Sequence, residues 1–314
     1  MSELSGGIPT LCRKGEDNPP ISERKECSDL SLQKVLGVFS QKTQKNILLL
    51  PLPLRVQNHT IPHVMIVKAY KTHKITVGDD LYEILDKYLP KLSEKSIVVV
   101  TSKIISICQG NVVKNDGKTE KKDLVKKEAD YYFEDEKLTR FGLVIPSIKK
   151  SILLANAGVD ESNADGNFVL WPKNVDQSAN EIWEYLRKKH SIKKLGVIIT
   201  DSHLMPLRWG IHGVGISWCG FEALKDYRGK PDIFGRVIRM EQLSVIDGLS
   251  NGATVVMGEG DEQTPLATIT DIPFVVFQDR VPAENERKIM LIEKEDDIYG
   301  KFLTSVRWQK GGKR

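Results

Sequence analysis

Three short apolar runs constrain this chain most, because each of them stops at an acidic residue. Residues 151–155 lead into Asn156-Ala157-Gly158-Val159-Asp160, residues 195–200 into Asp201-Ser202, and residues 253–257 into Gly258-Glu259. Runs this short, rich in aliphatic side chains and bounded by turn residues, read as buried strands. Between them lie stretches of helical period, so the predicted fold class is α/β, mixed α+β. In open α/β sheets ligands bind outside the carboxyl ends of the strands, where loops from separate strands meet. Asp160, Asp201 and Glu259 are therefore expected at one edge. The competing reading is that each acid only caps a turn or a helix.

The rest of the chain supports that pattern. A strand is expected over residues 65–70, then a helix capped by Asp79 and Asp80 with Leu81, Ile84, Leu85 and Tyr88 on one face. Pro90 ends it, and strands follow over residues 97–100 and 111–114. Residues 118–137 are strongly charged, with Leu124 and Ala129 at helical spacing, which reads as a helix with a solvated face. Further helices are expected over residues 178–190 and 240–251, the second preceding the strand at 253–257. Residues 1–64 mix Gly, Pro, Ser and charge, with one helical candidate near residues 30–39, then Pro51, Pro53 and Pro62. They read as a poorly ordered N-terminal extension. The folded domain is expected over residues 65–280. Residues 281–314 form a C-terminal extension, with a short helix near 296–306 and a basic tail.

Composition removes several classes of function. The 46 Lys and Arg against 42 Asp and Glu leave a net charge of +4, too weak a field to draw in nucleic acid. No apolar run approaches the roughly 20 residues that span a bilayer, so no membrane role is expected. Cys12, Cys27, Cys108 and Cys219 are far apart, without a CxxC pair or a secretory signal before them, which points to the cytoplasm.

Carboxylates joined by the Ser202 hydroxyl form an oxygen-only donor set, suited to magnesium or manganese rather than zinc. Glycines crowd one segment (Gly210, Gly213, Gly215, Gly220, Gly229, Gly235) and flank Glu259, where backbone could approach a phosphate. Standard nucleotide signatures are missing. Six residues separate Gly110 from Gly117-Lys118-Thr119, where a P-loop has four. Gly213-Val214-Gly215 lacks the third glycine of a dinucleotide fingerprint, since Trp218 stands there. Arg208, Arg228 and Arg236 could grip phosphate, or could form ion pairs such as Arg228 with Asp226. His203 and His212 read as packing histidines, and Cys219 as a small buried hydrophobe.

Taken in order, Gly78-Asp79-Asp80-Leu81, Val98-Val99-Val100-Thr101-Ser102-Lys103, Ala155 through Asp160-Glu161-Ser162-Asn163, Ile198-Ile199-Thr200-Asp201-Ser202, Pro206-Leu207-Arg208, Asp226-Tyr227-Arg228-Gly229 through Asp232 to Gly235-Arg236, and Met257-Gly258-Glu259 resemble the coenzyme F420:L-glutamate gamma-ligase family. The resemblance implies a two-subdomain ligase fold with neither a P-loop nor a Rossmann domain. It implies a homodimer that uses GTP and a divalent cation, magnesium or manganese, with a monovalent cation as a further candidate. The reaction would join L-glutamate to a deazaflavin acceptor, coenzyme F420-0 or its glutamylated forms. Asp160, Asp201, Ser202 and Glu259 resemble the metal ligands. Thr101, Ser102, Lys103, Asn163, Val255, Val256, Met257, Gly258, Glu259, Gly260, Asp261 and Glu262 resemble nucleotide contacts.

Arg208 and Lys103 are the candidates for stabilising phosphate charge during catalysis. The chain departs from the family pattern at Ser106-Ile107-Cys108-Gln109-Gly110 and at Tyr70-Lys71-Thr72-His73-Lys74, which leaves GTP and ATP both open. A folate acceptor, a nucleotide-binding regulator without turnover and a structural dimerisation module are the rival readings.

Overall fold

The computed structural model describes residues 64–135 and 144–312, all within the second of two units of the chain, His59–Arg314. The expected N-terminal extension, with its helix candidate and prolines, lies outside the described residues except for Val64. In chain order the elements are β1 (Ile66–Tyr70), α1 (Leu81–Tyr88), β2 (Ser96–Thr101), α2 (Ser102–Cys108), β3 (Val112–Lys114), α3 (Lys121–Glu128), β4 (Tyr131–Tyr132), β5 (Pro146–Lys149), β6 (Ile152–Ala155), β7 (Asn167–Val169), α4 (Val175–His190), β8 (Leu195–Leu204), β9 (Ile211–Cys219), β10 (Leu224–Asp226), β11 (Gln242–Ser244), α5 (Val245–Met257), β12 (Leu266–Thr270), α6 (Glu284–Lys288), α7 (Gly300–Leu303) and β13 (Gln309–Lys310).

A mixed sheet in the order β1-β12-β2-β8-β9 forms the centre. Its middle pair, β2 and β8, is parallel, with Ser96 opposite Leu195 and Thr101 opposite Thr200. Alternation distributes these strands over two cores, because successive side chains point to opposite faces. Val98, Val100, Val197 and Ile199 pack with Ile84 and Leu85 of α1 and Ile182 and Leu186 of α4. Ile97, Val99, Ile198 and Ile269 face the other way, onto Ile246, Leu249 and Ala253 of α5. Covered on both sides, β2 and β8 carry the near-continuous apolar runs that made them readable. Asp80 caps α1 as expected, its Oδ1 accepting the backbone N–H of Tyr82 and Glu83 at 2.8 and 3.0 Å.

A smaller antiparallel sheet, β13-β4-β5-β6, lies beside the main one. Leu124 and Val125 of α3 pack there on Ile145, Ala157, Val159 and Phe168. The expected long charged helix is cut short, since α3 covers only Lys121–Glu128 before the chain turns into β4. Among the described residues no helix is long and apolar enough to cross a membrane.

One expected strand is a helix. Residues 253–257 are the last turns of α5, in which Ile246, Ser250, Ala253 and Met257 form a buried row. This row has the i, i+4 and i+3 spacing of a helix face. Val255 is 85% exposed, which a buried strand would not allow. The glycines opposite explain the outcome. A Cβ on Gly213 would stand 2.6 Å from the Ser250 carbonyl oxygen, and one on Gly215 2.3 Å from Ile246 Cγ1. Gly213 and Gly215 are thus occupied by α5 rather than open to a phosphate. Gly213→Ala is expected to push α5 off β9 and cost about 1–3 kcal/mol, the usual range for overpacking, read as a lower urea midpoint.

Candidate functional site

The parallel pair ends unevenly, and that creates the site. β2 stops at Thr101 and turns into α2, while β8 runs on through Asp201 and Ser202, paired only with β9 (Asp201 opposite Val214). Asp201 therefore lies on the strand itself, at the first position where the neighbouring strand has gone. Ser102 and Lys103 open α2 beside it.

Asp201 Oδ1 accepts the Ser202 backbone N–H at 2.7 Å. Burial pushes its carboxyl up from 3.8 to about 6, against the pull of the Ser202 amide and the Ser102 hydroxyl, and the nearby Asp160 charge adds to the rise. Asp160 behaves in the opposite way. Burial would raise it too, but the Lys103 ammonium and the Ser162 amide and hydroxyl hold it below the usual carboxylate range.

The Asp160 loop is built by its own acid. Asp160 Oδ1 accepts the N–H groups of Glu161 and Ser162 at 2.7 and 2.9 Å, and Oδ2 accepts the Ser162 hydroxyl at 2.9 Å. Lys103 Nζ closes the loop, 2.6 Å from Asp160 Oδ2 and 3.0 Å from both the carbonyl and the hydroxyl oxygen of Ser162. Ser162 was not singled out from sequence. The Asp-x-Ser spacing of an Asx turn was the available signal.

Glu259 arrives from the opposite side of the sheet edge. It follows α5, whose end is fixed by Gly258 at a φ of +77°, with the Glu262 carboxyl carbon 2.4 Å from where a Cβ would sit. Glu262 Oε2 accepts the Gly260 N–H at 2.8 Å. Two hydrogen bonds then join this loop to the others, Ser202 Oγ to Glu259 Oε2 and Asn163 Nδ2 to the Gly260 carbonyl, both 2.8 Å. Four chain segments thus meet, and they carry Ser102, Lys103, Asp160, Asn163, Asp201, Ser202, Glu259, Gly260 and Glu262. Val255, Val256 and Met257 sit on the helix that leads in, and Asp261 is exposed in the loop.

Not every candidate joins them. Arg208 stands in the exposed turn between β8 and β9, and Leu204 before it is already about 10 Å beyond Asp201 at the strand rise. None of the hydrogen bonds that knit the four segments involves Arg208. Arg228 grips Asp226 through Nε and Nη2, at 3.0 and 2.6 Å, the ion pair weighed above. Asp232 accepts the backbone N–H of Arg236. His203 faces His212 across the hairpin, and burial lowers its pKa. Burial drives the Cys108 and Cys219 thiols up to about 12, so neither is a nucleophile.

The donor chemistry fits a hard cation, being all oxygen with a surplus of negative charge. Among the described residues no three acidic, histidine or cysteine side chains already stand at ligand spacing. The Ser202 hydroxyl is bonded to Glu259, and the Asp160 charge is near enough to Asp201 to raise its carboxyl.

An α/β fold that gathers acids, hydroxyls and a lysine from four segments at one sheet edge defines an enzyme rather than a scaffold. The model of the family described as F420-0:Gamma-glutamyl ligase matches residues 69–271. The Coenzyme F420:L-glutamate ligase of Methanococcus maripaludis (strain C6) is 36% identical over 231 residues, covering 70% of this chain and 90% of that protein. Those of Methanopyrus kandleri and Methanocaldococcus jannaschii are 32% and 30% identical, over 65% and 70% of this chain and 86% and 90% of theirs. The chain belongs to the F420-0:gamma-glutamyl ligase family, a family of glutamate ligases.

Proposed function

We propose that the chain forms an amide between L-glutamate and the carboxylate of a deazaflavin acceptor of the coenzyme F420-0 type, with GTP as the phosphoryl donor. The observation that carries this reading is the meeting of Asp160, Asp201, Ser202 and Glu259 from three segments, beside Lys103 from a fourth. A carboxylate does not condense with an amine at neutral pH until one of its oxygens becomes a leaving group. In the first step an acceptor carboxylate oxygen attacks the terminal phosphorus, the bond to the bridging oxygen breaks, and the nucleoside diphosphate leaves. The glutamate amine then attacks the acyl carbon. A C–N bond forms, the C–O bond to phosphate breaks, and the amine proton passes to phosphate or solvent.

Within this scheme Asp160, Asp201, Ser202 and Glu259 would hold a divalent cation, magnesium or manganese. Such an ion, when bound, neutralises charge on the terminal phosphates. Asn163 and Gly260 tie together the two loops that would flank the nucleotide. Lys103 faces the same space and would stabilise charge on the transferring group. Thr101, whose backbone N–H donates to the Pro265 carbonyl at 3.1 Å, holds the 258–264 loop to the sheet edge.

The test is phosphate release by purified protein with GTP or ATP, either metal, and glutamate. The deazaflavin precursor and tetrahydrofolate are offered separately, and Asp160→Ala serves as the control. Release with the deazaflavin only, lost in the control, is the expected result. Release with folate only would replace the acceptor, and nucleotide binding without release would leave a regulator.

A homodimer belongs to the same proposal. The β8–β9 turn exposes Leu207 and Trp209, and the excursion between β10 and β11 exposes Ile233, Phe234 and Met240. Apolar side chains concentrated on two projecting hairpins suit self-association better than solvent. Phe234→Glu is expected to shift sedimentation from dimer to monomer, and an unchanged dimer would remove this surface from the proposal.

A further inference from the structure

Beyond the residues that match the family model, the chain crosses the molecule. It leaves the main sheet after residues 276–278, where Glu222 and Gln278 exchange backbone hydrogen bonds with Val276 and Gly220. It forms α6, and it ends as β13 on the smaller sheet. Arg287, on α6, has a side chain only 15% exposed. Its Nη1 donates to Asp176 Oδ1, Ser217 Oγ and the Trp218 carbonyl at 2.9, 3.2 and 3.3 Å, and its Nη2 to Asn180 Oδ1 at 2.8 Å. One guanidinium therefore joins the first turns of α4 to β9. Asp176 also faces Lys150 Nζ, at 3.5 Å, in the β5–β6 turn of the smaller sheet.

The far end is tied as firmly. Gln309 and Lys310 pair with Tyr132 and Tyr131. Trp308 meets Phe133 edge to face with ring centroids 5.0 Å apart, and the Gly311 N–H donates to the Asp130 carbonyl at 3.0 Å. The smaller sheet leads through β6 into the Asp160 loop, whereas Asp201 lies on β8 of the main sheet and Glu259 on the loop after α5, which packs against that sheet. The segment from Arg287 to Gly311 therefore spans the two bodies whose relative placement sets how Asp160 meets Asp201.

We propose that residues 281–312 are a strap that aligns the two halves of the site, with Arg287 as a positioning residue for the ligase reaction. The inference rests on the function proposed above. A guanidinium that satisfies four acceptors at once has no equivalent in an ammonium, so Arg287→Lys should behave like Arg287→Ala. Small displacements of reacting groups cost rate more than binding.

The experiment compares wild type, Arg287→Ala, Arg287→Lys and, at the other end, Trp308→Ala in the full chain, well below their melting temperatures. In all three variants kcat for glutamate-dependent phosphate release is expected to fall about ten-fold or more, while the nucleotide KM moves less than about two-fold. Amide exchange at Glu161 and Ser162, whose N–H groups hold Asp160, is expected to quicken in each. Lower melting temperatures with unchanged kcat and unchanged exchange would make the segment structural only and overturn the strap. If wild type itself releases no phosphate with either acceptor, the function proposal fails, and the exchange comparison still decides the strap on its own. Should Arg287→Ala fail to fold, Trp308→Ala carries the same two readouts from the opposite anchor.

Discussion

Asp201→Asn is expected to make the metal-free protein more stable than wild type at pH 8 while abolishing ligase turnover. Both effects follow from one carboxyl. Burial lifts it from 3.8 to about 6, so the folded state holds this proton more tightly than the unfolded chain does. The sign is that of a raised acid: the stabilisation is complete below about 4 and is lost as pH climbs through about 6. Above that the fold carries a half-buried, poorly solvated charge, at a cost of up to about 3 kcal/mol. Asparagine keeps the volume and an acceptor oxygen for the Ser202 N–H, and removes the ionisation.

Urea unfolding in the presence of a chelator should therefore give Asp201→Asn an advantage of about 1–3 kcal/mol at pH 8 that shrinks towards pH 5. Turnover should fall about 100-fold or more, because the cation that Asp201 would help to hold neutralises developing charge, and losing such stabilisation costs in that range. Strain of this kind is kept at sites where function needs it. A variant less stable than wild type at pH 8 would mean that the ionised carboxylate is already well solvated by its neighbours, and that burial does not govern the Asp201 carboxyl.

Sequence reading succeeded where one physical effect acted alone. β2 and β8 are buried on both faces, so their side chains leave uninterrupted aliphatic runs, and Asp201, which ends the apolar run of β8, stands at the expected edge. It failed where two effects competed. Thr254-Val255-Val256 has the β-branched density of a strand, yet Ala253 and Met257 continue the buried row of Ile246 and Ser250, and packing on Gly213 and Gly215 decides in favour of helix. Glu259 reached the expected edge all the same, delivered by the C-terminus of a helix rather than of a strand.

β5, which forms a hairpin with the strand read over residues 151–155, was missed for a different reason. Its turn residues Lys150 and Ser151 both adopt positive φ, +49° and +59°, as a type I′ turn requires. Neither is the Asn or Gly that usually announces one. The pairing of Lys103 with Asp160 was equally hidden. Residues far apart in the chain meet only because α2 and the Asp160 loop flank the same sheet edge, and no local pattern records that.

Lys103→Met provides the counterpart to Asp201, a large loss of activity with little change in stability. The pair it breaks is partly open to solvent, with side-chain exposures of 27% for Lys103 and 44% for Asp160. Ion pairs in such settings contribute about 1 kcal/mol or less, so the melting temperature should barely move. The chemistry has more to lose. Lys103 directs one ammonium at three oxygens, Asp160 Oδ2 and the carbonyl and hydroxyl of Ser162, and so fixes the acid and its loop with a single positive point. In the proposed reaction the same charge faces the transferring phosphoryl group, where removing a preorganised donor costs about 100-fold in kcat.

Lys103→Arg should not restore the rate, because a planar fork cannot reproduce three contacts converging on one nitrogen. Nucleotide binding, measured by calorimetry, should weaken much less than turnover, since the interaction strengthens as charge develops. If Lys103→Met lost binding and turnover in equal measure, the lysine would serve ground-state recognition, and charge stabilisation during transfer would have to come from elsewhere in the site.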